Sequence, residues 1–147
     1  MDRAGVVHRR PCRVPGFGIY HASKWALEGV SETLAQEVKD FGVKVMMVEP
    51  SGFRTDWAGD SMTRADRMDA YDDVLGAFYE RIAEENSGRQ PGNPQKAAAA
   101  LLAALDSDDP PFRLLLGNMA FETAADRYES RLEGFHAIES VARGADD

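Results

Sequence analysis

"YHASKWALEGVSETLAQEVKDFGVKVMMVEP" (residues 20–50) runs a helical pattern into an apolar strand with one glycine at the junction. Trp25, Leu27, Val30, Leu34, Val38 and Phe41 recur at helical spacing, which predicts a helix from Tyr20 to about Phe41. Glu28, Glu32, Glu37 and Lys39 supply its expected wet side, and Gly42 supplies the stop. Val43 to Pro50 then reads as a strand, nearly continuous in apolar residues. Such a run is expected where a parallel sheet buries both faces of a strand. Pro50 ends it.

Outward from this unit, "VPGFG" (residues 14–18) is a turn-rich approach that Pro15 keeps from being helical. Residues 1–13 have no periodicity and are locally basic, with Arg3, Arg9, Arg10 and Arg13 against Asp2. They read as an irregular leader to a single domain over residues 14–147. After Pro50, "SGFRTDWAGDSMTRAD" (residues 51–66) is a loop long enough to cover a site. Met68 to about Glu85 form a second amphipathic helix through Tyr71, Val74, Leu75, Phe78 and Ile82. Asn93 and Pro94 make a helix start, with a capping side chain and a first-turn proline. An alanine-rich helix follows, then a second buried strand in "FRLLLG" (residues 112–117), then a charged helical tail from Asn118 to about Val141. Strands alternating with helices imply an α/β fold of about two strands and four helices. Two strands are few for such a sheet, and one edge of Val43–Val48 is expected to lack a partner, inviting self-association or pairing with a related subunit.

The net charge of −8 argues against a nucleic-acid surface. Cys12 is the only cysteine, which excludes an intrachain disulfide and fits a reducing cytoplasm. No apolar run reaches the length of a membrane span or a secretory signal. His8, His21 and His136 lie far apart without metal-ligand spacing, so no metal is expected.

Tyr20 and Lys24 share one helix face, four residues apart. An ammonium beside a phenol favours the phenolate, so the phenol can exchange a proton with a carbonyl or alcohol oxygen near neutral pH. Spacing alone does not separate this from an amphipathic helix start beside a solvated charge. The setting does. "YHASKWALEGVSETLAQEV" followed by "GVKVMMVEPSGFRTD" resembles the short-chain dehydrogenase/reductase family, in which Tyr-x-x-x-Lys opens a long helix and a strand ending in Pro-Gly follows. The resemblance runs from about Val14 to the end of "FRLLLG" and more loosely through the tail.

It implies the C-terminal half of a Rossmann-like doubly wound parallel sheet, NAD or NADP as cofactor, and a small carbonyl or alcohol substrate. By the same resemblance Tyr20 is the general acid/base and Lys24 the residue that tunes it and holds the nicotinamide ribose. Pro50, Ser51, Phe53 and Thr55 lie in the loop that passes over the nicotinamide, Phe53 through its backbone and Thr55 through its hydroxyl. The segment from Trp57 to Phe78 is the expected substrate lid, and its Trp57, Met62, Tyr71 and Phe78 suggest an apolar pocket wall, a pattern that ordinary packing explains equally well. Three features depart from the family pattern. Ser51 stands where the family has glycine, with Gly52 next. The family's carbonyl-orienting serine precedes the tyrosine by about thirteen residues, a count that lands here on Val7. The only Gly-x-Gly near the start, "GFG" (residues 16–18), follows no strand and lacks the third glycine of a dinucleotide fingerprint. A truncated or frame-shifted product, inactive alone, is therefore expected; a non-catalytic partner of a full-length relative is the alternative.

Overall fold

The computed structural model describes residues 16–55, 66, 68–85 and 88–146. Helix α1 (Gly18–Glu37) opens two residues before the predicted start, because the Phe17 carbonyl already accepts the His21 N–H at 2.8 Å. It gives way to a 3-10 turn over Lys39–Phe41, closed by Gly42 at φ 72°. A left-handed backbone there suits glycine and stops the helical run where the sequence predicts, although the α-helical part ends earlier, at Glu37.

Strand β1 is Met47–Pro50, and residues 43–46 of the predicted strand lie outside it. The reason is its partner. Strand β2 (Arg113–Leu116) is four residues long and pairs with β1 in parallel, Met47 opposite Arg113 and Pro50 opposite Leu116. The ladder extends only through Met47 N–H to the Phe112 carbonyl at 2.7 Å and Ser51 N–H to the Leu116 carbonyl at 2.9 Å. Burial on both faces does not hold. In β1, Met47 and Glu49 are buried while Val48 and Pro50 are half-buried, and all of β2 is half-buried.

A 3-10 turn over Asp69–Tyr71 leads into α2 (Asp72–Glu85), so the predicted helix from Met68 begins with a tighter turn. Helix α3 (Pro94–Leu105) has the predicted cap: Asn93 Oδ1 accepts the N–H groups of Gln95 at 2.9 Å and Lys96 at 3.2 Å. The tail divides at Ile138 into α4 (Asn118–Ala137) and a short α5 (Glu139–Arg143), giving five α-helices among the described residues where four were expected. The α/β class and the parallel pairing are as predicted.

Packing corrects the sequence reading of α1. Its apolar stripe is only partly covered: Val30, Leu34 and Phe41 are exposed, while Trp25, Leu27 and Val38 are half-buried. The residues α1 buries are Glu28 and Ser31, so Glu28 leaves the expected wet side. Its burial follows from a cation on the sheet, described below. Among the described residues the buried apolar side chains are Met47, Ala120 and Ala124. The two alanines let α4 lie close to the sheet. Among the described residues no helix is long and apolar enough to cross a membrane.

Candidate active site

The first turns of α1 carry Tyr20 and Lys24 on adjacent rungs of one face. The Lys24 ammonium lies 5.5 Å from the centre of the Tyr20 ring, so the predicted pair is assembled. Phe17 meets the Tyr20 ring edge-on, with centroids 5.3 Å apart, and stacks on His21 at 5.9 Å. Both Tyr20 and Lys24 are half-buried. Burial pushes the His21 imidazole below its ordinary value, and Arg127 on α4 adds to the effect. Arg131, one turn further along α4, stacks over Trp25 with its guanidinium carbon 4.6 Å from the ring centre. These contacts fasten the N-terminal end of α1 to α4.

The loop after β1 holds the other predicted residues. Pro50 closes the strand, and Ser51 is buried beside Gly117. A Cβ at Gly117 would sit 2.2 Å from Ser51 Oγ, and Gly117 has φ 98°. A serine in the family's glycine position is thus accommodated by a glycine on the neighbouring strand end. Gly52 is not among the positive-φ glycines. The loop is pinned from its far side: Phe53 forms a parallel bridge with Gly92, through Gly92 N–H to the Gly52 carbonyl at 3.0 Å and Arg54 N–H to the Gly92 carbonyl at 3.2 Å. A Cβ at Gly92 would fall 2.6 Å from the Gly52 carbonyl oxygen. The Phe53 N–H takes no part in that bridge. Thr55 is exposed, its N–H bonded to the Phe53 carbonyl at 2.8 Å. Arg54 reaches the carbonyls of Gln90 and Pro91 at 2.8 and 3.1 Å. Trp57 and Met62 lie outside the described residues, as does the side chain of Phe78; Tyr71 is exposed. Residues 1–13 also lie outside them.

Sequence reading missed Gly92, Gly117 and, above all, Arg113. From β2, Arg113 bonds Glu49 on β1 at 2.8 Å, Glu28 on α1 at 3.0 Å and Glu32 on α1 at 2.5 Å. The side chains of Glu28 and Glu49 are 4% and 3% exposed, that of Arg113 25%. Burial pushes the Glu28 carboxyl up against the opposing pull of Arg113, with Glu49 and Glu32 adding repulsion. Burial also works against the Arg113 charge, but bonds to Glu49 and Glu28 more than offset it, and its pKa rises. Three carboxylates share one guanidinium, so the cation gains more from the cluster than any one anion does. Burial pushes up the nearby Tyr128 phenol as well.

Known proteins resemble this chain. Residues 11–66 match the short chain dehydrogenase family. Oxidoreductase BOA17 of Botryotinia fuckeliana is 44% identical over 110 residues, which are 75% of this chain and 40% of that protein. A 3-ketodihydrosphingosine reductase of Bacteroides thetaiotaomicron is 34% identical over 105 residues, 71% of this chain and 39% of its own. The crystal structure of a short-chain dehydrogenase from Streptomyces avermitilis superposes with a TM-score of 0.77 at 36% identity, covering 99% of this chain and 51% of that one. The chain belongs to the short-chain dehydrogenase/reductase family. It spans about half the length, or less, of these relatives.

Proposed function

We propose that this chain carries the proton-transfer and nicotinamide-binding part, the C-terminal half, of an NAD(P)-dependent oxidoreductase that interconverts a carbonyl and an alcohol. The Tyr20–Lys24 pair carries the reading, with the ammonium 5.5 Å from the ring centre. The residues present fit the nicotinamide end of such a cofactor. Lys24 offers an ammonium for the ribose hydroxyls, Phe53 a backbone N–H outside its bridge, and Thr55 an exposed hydroxyl. When bound, the nicotinamide supplies or takes up the hydride.

Tyr20 Oη gives its proton to the substrate oxygen as negative charge develops there, and takes it back in the reverse direction. Lys24 stabilises the phenolate that remains. Pro50, Ser51 and Phe53 keep the loop in one place, because Gly92 and Gly117 hold it from two sides. The pyrophosphate and adenosine ends of the cofactor have no counterpart motif in this sequence, so turnover by the chain alone is not expected. A cytoplasmic setting suits a lone cysteine and a reduced cofactor.

Calorimetry tests the reading. The purified chain should show no saturation by NADH or NADPH at micromolar concentrations. Joined at Val14 to the preceding half of a relative, it should bind one of them, and Lys24→Met should weaken that binding. Tight binding by the chain alone, or a hybrid indifferent to Lys24→Met, contradicts it. A second reading, association with a related subunit without catalysis, is favoured by the exposed Val30, Leu34, Leu132, Phe135 and Val141. A strictly monomeric chain in light scattering would rule that out.

A further inference from the structure

We infer that Arg113 is a positioning residue: its fork fixes the rotation of α1 about its own axis, and so aims Tyr20 and Lys24 at the loop after β1. Tyr20, Lys24, Glu28, Ser31 and Glu32 fall within about a third of the helix circumference, at about 100° per residue. Arg113 takes hold of that face at Glu28 and Glu32, and with the same guanidinium holds Glu49, the residue before Pro50. One side chain thus ties the face bearing the proton donor to the point where the nicotinamide loop leaves the sheet.

Apolar packing alone does not do this. Of the aliphatic residues of α1, Val30 and Leu34 are exposed and Leu27 is only half-buried, while Glu28 and Ser31 are buried. Apolar contacts tolerate sliding and rotation, whereas a three-way fork with two nearly buried carboxylates has one geometry that satisfies it. Buried ion clusters are weak sources of stability and are retained in several systems because they specify register. The placement of Glu28 and Glu49 around Arg113 matches that use.

The chemical meaning of this inference rests on the function proposed above; its test does not. Spin labels at Ala26→Cys on α1 and Ala103→Cys on α3, both exposed positions, in a Cys12→Ser background, report the distance between helix and scaffold. In the wild-type chain the distance distribution should be narrow. The variant Glu28→Leu/Glu49→Leu/Arg113→Met replaces the ions by apolar groups and should melt near the wild-type temperature. Its distribution should nevertheless broaden or move, since rotation by one residue shifts a Cβ by roughly 5 Å. Arg113→Lys keeps the charge but cannot reach all three carboxylates, and should broaden the distribution while the chain stays folded. A purely stabilising cluster would change melting and leave the folded distance alone. Wild-type distributions in Arg113→Lys and in any folded triple variant overturn the inference, whatever becomes of Tyr20 in the binding and turnover assays.

Discussion

Replacing Arg113 alone by methionine should be among the most damaging single changes in the described sheet. The substitution keeps the aliphatic stem and removes a cation bonded to both Glu28 and Glu49, whose side chains are 4% and 3% exposed. Breaking one partner out of a buried pair typically costs about 3–5 kcal/mol, because the remaining charge is left desolvated. Arg113 is 25% exposed, so water reaches the site in part and the lower end, about 3 kcal/mol, is expected. Glu32 adds little, since its side chain is 53% exposed. Against a usual total of about 5–15 kcal/mol, the variant is marginal at neutral pH. Urea unfolding followed by far-ultraviolet circular dichroism reads this loss. The pH dependence identifies its cause. Glu28 has a raised pKa when folded, and without Arg113 it should rise further. A raised carboxyl contributes stability that is present below its unfolded value and lost as pH rises through the folded one. The variant should therefore recover stability between neutral pH and pH ~5. A loss under about 1 kcal/mol at pH 7, with no recovery in acid, would refute the reasoning.

Gly117→Ala should cost about 1–3 kcal/mol from its backbone conformation alone, plus the encounter with Ser51 Oγ. Adding Ser51→Gly should restore the steric part and leave the backbone part, as thermal melts of both variants would show. Asn93→Ala should lose about 1 kcal/mol with the cap of α3, measurable by the same melts. His21 has a lowered pKa, so its contribution is present above its ordinary 6.5 and lost as pH falls through the folded value. His21→Gln should flatten that part of the stability profile, read from urea midpoints between pH ~5 and ~7.5.

The chain order was legible because each element announces itself locally. Gly42 closes the 3-10 turn that follows α1 with the left-handed conformation its sequence suggests, and Asn93 caps α3 with its own side chain. Tyr20 and Lys24 were legible for the same reason: one helical turn sets their distance. What was not legible depends on residues far apart in the chain. Glu28 reads as solvent-facing until Arg113, 85 positions later, stands beneath it. The glycine requirement at Gly92 arises from the Gly52 carbonyl, and that at Gly117 from Ser51 as well as its own φ. β1 is shorter than its apolar run because β2 is only four residues long. Local pattern locates elements; cross-chain packing decides which of their faces is buried.

The measurement that bears most directly on the central claim is turnover after Tyr20→Phe. It is made on the chain joined at Val14 to the preceding half of a relative, following nicotinamide absorbance with a carbonyl substrate the hybrid accepts. The change removes the phenolic proton and keeps the ring against Phe17. Turnover should fall by roughly 10²–10⁴-fold while cofactor binding and melting temperature stay near the parent values. A Tyr20→Phe hybrid that reduces its substrate at the parent rate would contradict the assignment of Tyr20 as the proton donor.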